Sequence, residues 1–398
     1  MRIVHVITSL KAGGTEAQLY ALLTHFKRDT TNEHHVIYFR AGPMVEKIKE
    51  LGFPLYHVQG VLSGYDPEPL LYYRLKKLIK ELQPDLIHSA LWTADVMSRL
   101  VGKALDIPVI SDIHVDCGQR WWFRNWLDAR TVHLAARLVA VSNVTKISFQ
   151  NSVLKRVRLE KNRERITKDL LLIYDSIDID NVLYNGLGNP IKREEIGLQE
   201  HDFVFGYVCR LNHNKGCSVL INAFAQLCER LTVRESQKND VITKNSPKLC
   251  LIGEGPLLKE LQALTVSLGV ADKVLFMGYR ADAHRFYPLF DCYVMASHFE
   301  AISIALLDAM CFNLPIITTQ RWSFHDIVEH GKNGLTVPAG DADAMGYAME
   351  EIYARQDKAL QMGEINRKIV GEKFSLQTKV EQYIDLFKQV IQEHTKIR

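Results

Sequence analysis

Two cations, Arg210 and Lys215, straddle a turn in the run Cys209-Arg210-Leu211-Asn212-His213-Asn214-Lys215-Gly216. They follow an apolar stretch, 203–208, that reads as a strand, and open α/β sheets bind ligands at the carboxyl ends of their strands. A guanidinium is a planar donor fork and an ammonium a point charge on a flexible stem, a pair suited to a diphosphate. By spacing alone, two solvated basic residues fit equally well. A second group lies in Ser297-His298-Phe299-Glu300-Ala301-Ile302-Ser303-Ile304-Ala305-Leu306-Leu307-Asp308-Ala309-Met310. Glu300 and Asp308 are eight residues apart, a little over two helical turns, so a helix beginning near 301 turns both carboxylates to one cleft. Ser303, near that helix start, leaves backbone N–H groups free for a phosphate. The plainer alternative has Glu300 favoured by the helix dipole and Asp308 solvated. Against it, Asp308 stands among Leu306, Leu307, Ala309 and Met310, an unusual setting for an unpaired carboxylate. A third feature is Gly13-Gly14 between the strand-like run 2–8 and a helix-period stretch. Glycines at such a turn let backbone approach an anion at the helix N-terminus, although the spacing is not the G-x-G-x-x-G dinucleotide fingerprint. No carboxylate cluster of the D-x-D metal type lies beside these loops; the nearest Asp-x-Asp is Asp178-Ile179-Asp180. Neither a metal nor a cofactor is expected.

The elements that must position these residues alternate from start to finish. Strand-like runs at 2–8, 35–39, 54–58, 85–88, 108–113, 137–141 and 170–174 are separated by amphipathic stretches such as 16–27, 69–82, 94–105 and 122–136. The pattern restarts with 203–208, 248–252, 273–276, 291–295 and 315–318, and ends in helical stretches 341–355 and 376–394. This alternation implies parallel sheets with helices on both faces, doubly wound by right-handed crossovers. A dozen strands exceed one ordinary sheet, so two domains are expected, with a linker in Asn181–Gly197. The polar stretch 232–247 reads as an exposed loop, and the charged stretch 155–169 as a solvated helix face or a surface for a membrane or an anionic partner.

Composition agrees: 398 residues with 47% hydrophobic and 24% charged are ordinary for a globular two-domain chain. A net charge of +3 does not call for nucleic acid, and no nucleic-acid partner is expected. Seven scattered cysteines without a C-x-x-C pair fit a reducing compartment. Ile3–Ile7 is too short for a signal sequence, and no apolar stretch reaches about 18 residues. A cytoplasmic protein is expected, peripheral at most on the inner face of a membrane.

Taken in order, these features resemble the retaining GT-B-fold glycosyltransferases of family 4, the glycosyl transferases of group 1. The phrases that carry the resemblance are Gly13-Gly14-Thr15-Glu16, Val208-Cys209-Arg210-Leu211 with Lys215-Gly216, Leu251-Ile252-Gly253-Glu254-Gly255-Pro256 and Val274-Leu275-Phe276-Met277-Gly278-Tyr279. The Glu300 block, Leu314-Pro315-Ile316-Ile317 and Gly331-Lys332-Asn333-Gly334-Leu335 follow in family order. The resemblance implies an α/β GT-B architecture, two Rossmann-like doubly wound domains facing a central cleft. Residues 1–180 would form the acceptor-side domain and 181–375 the nucleotide-sugar domain, with 376–398 a helix crossing back to the first. It implies a hexosyltransferase that needs no metal and moves sugar, with retention, from a UDP- or GDP-sugar to a saccharide or lipid-linked acceptor. Surface polysaccharide or glycolipid assembly is the implied setting. Arg210 and Lys215 would hold the diphosphate, Glu300 the transferred sugar and Asp308 the ribose. Backbone at Ile302, Ser303 and Ile304 would meet the β-phosphate, Gly253 would belong to the same donor site, and Gly13 and Gly14 would approach from the first domain. His114, in Ser111-Asp112-Ile113-His114, matches a histidine facing the transferred sugar.

The chain departs from the family pattern in three places. Asp308 is one methylene shorter than the usual Glu, so ribose contact needs closer approach or a water bridge. The E-G-F-G-type turn is Glu300-Ala301-Ile302-Ser303, and N-G-I-D is Asp175-Ser176-Ile177-Asp178. An inactive sugar-nucleotide-binding or scaffold protein of the same fold is the alternative these losses keep open. Finally, Arg120-Trp121-Trp122-Phe123-Arg124-Asn125-Trp126 combines three tryptophans with two arginines. Such a run suits peripheral contact with a membrane or lipid-linked acceptor, stacking on sugars, or packing in the first domain.

Overall fold

An almost unbroken apolar run buries strand Arg2–Ser9 (β1) on both faces, as expected of a parallel sheet covered by helices. Six further strands follow: Glu33–Arg40 (β2), Leu55–His57 (β3), Leu86–Ala90 (β4), Val109–Ile113 (β5), Arg137–Ala140 (β6) and Leu170–Leu172 (β7). Among the described residues they form one parallel sheet in the order β3-β2-β1-β4-β5-β6-β7. In this computed structural model the described residues are all but 12, 28–30, 62–65, 115, 116, 118–120, 238–245, 299–301, 321–326 and 398, and the side chains of 235–237 and 397. Strand order reverses between β1 and β4. Right-handed crossovers running outward from that point place helices on opposite faces.

The first compact unit comprises Met1–Ser176 together with Leu376–Arg398. Its last helix, Leu376–Ile397, presents Leu376, Val380, Tyr383, Phe387 and Val390 at alternating four- and three-residue steps. That stripe packs against Ile3, Leu22, Phe26, Leu86 and Ile110, so the end of the chain helps close the core begun by β1.

The second unit, Ile177–Ser375, is built the same way. Strands Phe203–Val208 (β8), Pro247–Ile252 (β9), Val274–Phe276 (β10), Cys292–Met295 (β11), Ile316–Thr319 (β12) and Gly334–Val337 (β13) form a parallel sheet ordered β10-β9-β8-β11-β12-β13. Its order reverses between β8 and β11. Strand β13 is missing from the sequence reading, because its run is short and closed by Gly334 and Pro338; pairing with β12 at four positions makes it a strand.

Two other expectations need correction. The stretch 181–197, expected as a linker, is largely inside helix Ile179–Leu187 and a 3-10 turn at Arg193–Ile196. Asp178 caps that helix by accepting from the Asn181 N–H at 3.1 Å, and a Cβ on Gly186 would fall 2.3 Å from the Phe312 ring. Its glycine therefore serves close packing, not chain flexibility. The polar stretch from 232 begins as helix, since Cys217–Gln237 continues through it; 238–245 lie outside the described residues. The charged stretch folds into helix Glu160–Asp169, of which only Ile166 is buried. Among the described residues no helix is long and apolar enough to cross a membrane.

Candidate functional site

In the second unit the segments after β8, β9 and β11 lie side by side at the carboxyl edge of the sheet, at its point of reversed strand order. Backbone bonds tie them together. Leu211 N–H donates to Glu254 O at 2.9 Å, and His298 N–H to Asn214 O at 2.8 Å. The Tyr207 hydroxyl pairs with Ser297 Oγ at 2.8 Å and also reaches Lys215 O at 3.1 Å. Two glycines permit this closeness. Gly216 has φ +64°, and a Cβ there would lie 2.2 Å from Ala296 O; Gly253 has φ +135°, and its Cβ would lie 1.9 Å from Cys209 O. No other residue type fits either position without strain. The glycines thus hold the loop bearing Arg210 and Lys215 between its two neighbours.

Arg210 is exposed on this edge and Lys215 half-buried. Burial pulls the Lys215 ammonium below its ordinary pKa, with the nearby Cys209 and Cys217 sulfurs acting in the opposite direction. Helix Ile304–Cys311 starts on the same edge, with Ser303 as its N-cap: the Ser303 hydroxyl accepts from the Leu306 N–H at 3.4 Å. The amides of Ile304 and Ala305, at the first turn, have no partner within the helix and lie where its dipole favours an anion. Ile302 and Ile304 are half-buried and Ser303 is buried. Glu300 lies outside the described residues.

Asp308 is neither solvated nor unpaired. Its Oδ2 meets His284 Nε2 at 3.3 Å, and Oδ1 is buried without a protein partner. Burial raises the Asp308 pKa, opposed by the hydrogen bond from His284; that same bond raises the pKa of His284. Sequence reading missed His284, which stands 24 residues away with no motif around it.

The first unit carries His114, Gly13 and Gly14. Gly13 is the N-cap of helix Gly14–Phe26, and the space a Cβ would need is occupied by the Glu16 carboxylate, which accepts from Ser9 Oγ at 2.8 Å. Gly14 has open space around it. His114, buried just beyond β5, lies between two carboxylates: Nε2 is 3.8 Å from Asp112 Oδ2 and Nδ1 is 3.8 Å from Asp175 Oδ2. These are ion-pair contacts, too long for hydrogen bonds. Burial works against the imidazolium, but the two carboxylates outweigh it and hold the His114 pKa above its ordinary value. Asp112 also accepts from His88 Nε2 at 2.8 Å and the Tyr383 hydroxyl at 2.7 Å. Lys379 donates to Asp175 Oδ1 at 3.0 Å and to Gln18 Oε1 at 2.7 Å. His114, Asp112, His88, Lys379, Gln18 and Thr15 line one recess within this unit. Behind it, His88, His5 and His34 form a buried hydrogen-bonded chain, with steps of 2.9 and 3.0 Å. Burial and the flanking His88 and His34 keep His5 neutral, well below its ordinary pKa.

The aromatic-basic run lies partly within the described residues. Arg120 lies outside the described residues, whereas Trp121, Trp122 and Trp126 are 75%, 72% and 47% exposed, so packing in the domain does not account for them. Arg124 stacks over Trp92 at 4.6 Å and Arg130 over Trp126 at 4.7 Å.

Comparison with known proteins follows the same division of the chain. The family model described as Glycosyl transferases group 1 matches residues 189–369, and that described as Glycosyltransferase Family 4 matches 12–159. EpsD of Bacillus subtilis (strain 168), which carries a glycosyltransferase name, is 26% identical over 84% of this chain and 84% of its own. N-acetyl-alpha-D-glucosaminyl L-malate synthase of Bacillus anthracis is 26% identical over 57% of this chain and 55% of its own. Among solved structures, Anabaena Alr3699/HepE in complex with UDP superposes with a TM-score of 0.79 at 19% identity, covering 98% of this chain and all (100%) of that one.

Proposed function

Because the chain belongs to the glycosyl transferases of group 1, with the family 4 domain at its amino end and the GT-B fold, we propose that it is a retaining, metal-independent hexosyltransferase. The donor would be a UDP- or GDP-sugar, and the acceptor a saccharide or lipid-linked saccharide of surface polysaccharide or glycolipid assembly. The observation that carries this reading is the β8 loop, which Gly216 and Gly253 pin against the segments after β9 and β11, with Arg210 and Lys215 on the sheet edge from which the β11 segment leads into helix Ile304–Cys311. Two cations and a helix N-terminus on one sheet edge form a cradle for a diphosphate.

As the sugar–oxygen bond breaks, negative charge grows on the departing β-phosphate. Arg210, Lys215 and the amides of Ile304 and Ala305 oppose that charge without reorganising. The acceptor oxygen bonds to the anomeric carbon on the face from which the diphosphate departs, which retains configuration, and its proton passes to the leaving diphosphate, so that no protein base is required. Glu300 binds the hydroxyls of the transferred sugar, Asp308 the ribose, and His114 faces the sugar from the first unit. Asp308 reaches ribose directly or through a water at its unpartnered buried Oδ1. Anabaena Alr3699/HepE has been solved with UDP-glucose, which makes that sugar nucleotide the first donor to test. The reaction would take place in the cytoplasm, with Trp121, Trp122 and Trp126 touching the inner membrane face when the acceptor is lipid-linked.

A melting panel of UDP, GDP, ADP and their glucose conjugates tests the reading, since a ligand that binds only the folded chain raises its melting temperature. One nucleotide family should stabilise the protein, and the product of its sugar conjugate should keep the donor's anomeric configuration by NMR. No stabilisation by any of them, or an inverted product, contradicts the proposal.

A further inference from the structure

Both carboxylates that flank His114 are themselves held by one element, the helix Leu376–Ile397 at the far end of the chain. We propose that Lys379 and Tyr383, one turn apart on that helix, are positioning residues that hold His114 in place through Asp175 and Asp112. The inference rests on the reading of His114 as the group that faces the transferred sugar.

Four observations carry it. Lys379 is a buried cation, its side chain 3% exposed, and a lysine is rarely buried without a dedicated partner. Its partners are Asp175 and Gln18, and the free edge of Asp175 is the one that faces His114 Nδ1. Tyr383 uses its hydroxyl on the same Asp112 oxygen that faces His114 Nε2 and accepts from His88. Third, His114 makes neither contact at hydrogen-bond length, so its place depends on where the two carboxylates are fixed. Fourth, the ring of Tyr383 packs against His88 and Phe387, which anchors its hydroxyl by the hydrophobic stripe of the helix. The groups facing His114 are thus Asp112 from β5, Asp175 from the segment after β7, and Lys379 from the last helix. Asp112 in turn meets His88 and Tyr383. Lys379 lowers the affinity of His114 for a proton, and the two carboxylates raise it.

The test combines turnover of the sugar nucleotide selected by the melting panel with NMR titration of 13C-labelled histidine, assigned through His114→Gln. Lys379→Met removes the cation at similar length, Lys379→Arg restores it, and Tyr383→Phe removes only the hydroxyl and keeps the ring. Lys379→Met and Tyr383→Phe should melt as folded proteins and keep donor KM within about twofold, while kcat falls roughly ten- to a hundredfold through misplacement. In both, the His114 titration and the matching limb of the kcat profile should move to higher pH, and Lys379→Arg should recover both. Parental kcat together with a parental His114 titration in folded Lys379→Met overturns the proposal. If His114→Gln itself turns over like the parent, the sugar-facing reading of His114 falls instead. A titration that still moves in Lys379→Met then leaves the positioning by the last helix standing.

Discussion

Lys215 shows how a single side chain can serve the chemistry. Half-buried, its ammonium has already lost part of its water, and a bound diphosphate would restore what burial removed. Removal of such a donor typically costs about a hundred- to a thousandfold in turnover. Lys215→Ala should therefore lower kcat by roughly that factor while weakening nucleotide binding less. Lys215→Arg should recover only part, since a planar fork does not replace a point charge on a flexible stem. The exposed Lys259, altered to Ala, is the control and should change little. A folded Lys215→Ala with parental turnover would show that the diphosphate lies elsewhere. His284 gives a second test at this scale. Its pKa is raised by the hydrogen bond to Asp308, so the stability it adds is complete below its unfolded value near 6.5 and is lost as pH rises through the folded value. His284→Gln should lower the melting temperature most in acid and least in alkali. An equal loss at every pH would mean that the pair contributes packing alone. The sequence pointed to Asp308, because a carboxylate among apolar neighbours asks for a partner. It did not point to His284, which the 3-10 turn Ala283–Leu289 brings in from outside the motif.

Elements were the most legible part of the chain. Every strand expected in either half is present, because strands buried on both faces read as continuous apolar runs. The missed strand, β13, is four residues long and bounded by a glycine and a proline. Helix Ile179–Leu187 was hidden by its own glycine, which is there to admit the Phe312 ring. Lys379 and Tyr383 were hidden differently. Lys379 falls inside the stripe Leu376-Val380-Tyr383-Phe387, a cation on a buried face, and its meaning appears only when the last helix meets Asp175 some 200 residues earlier (|i−j| = 204). Helix Trp122–Thr131 makes its own prediction. Exposed tryptophans at its N-cap, first and fifth positions, with Arg130 against the last of them, favour a headgroup layer of anionic lipid. Anionic vesicles should sediment the protein, and changing Trp121, Trp122 and Trp126 together to Ser should release it. Equal sedimentation of the folded triple variant, or none of the parent, excludes that contact.

Across the whole molecule, two parallel sheets each reverse strand order once. The second unit carries Arg210, Lys215 and the start of helix Ile304–Cys311; the first carries His114 between two carboxylates. Motif order along the sequence was enough to identify the family. It could not show what surrounds His114, since that cluster draws on β4, β5, the segment after β7 and the last helix at once. In the proposed mechanism Arg210 and Lys215 oppose the charge of the leaving diphosphate, and no divalent ion is needed. Its most direct test is the initial rate at which the intact chain releases nucleoside diphosphate from its sugar nucleotide, measured with excess EDTA and again after magnesium or manganese is added. Saturable release in EDTA is expected, changed by no more than about twofold when metal is restored. No release from any UDP-, GDP- or ADP-sugar, or release that appears only with the metal, would contradict it.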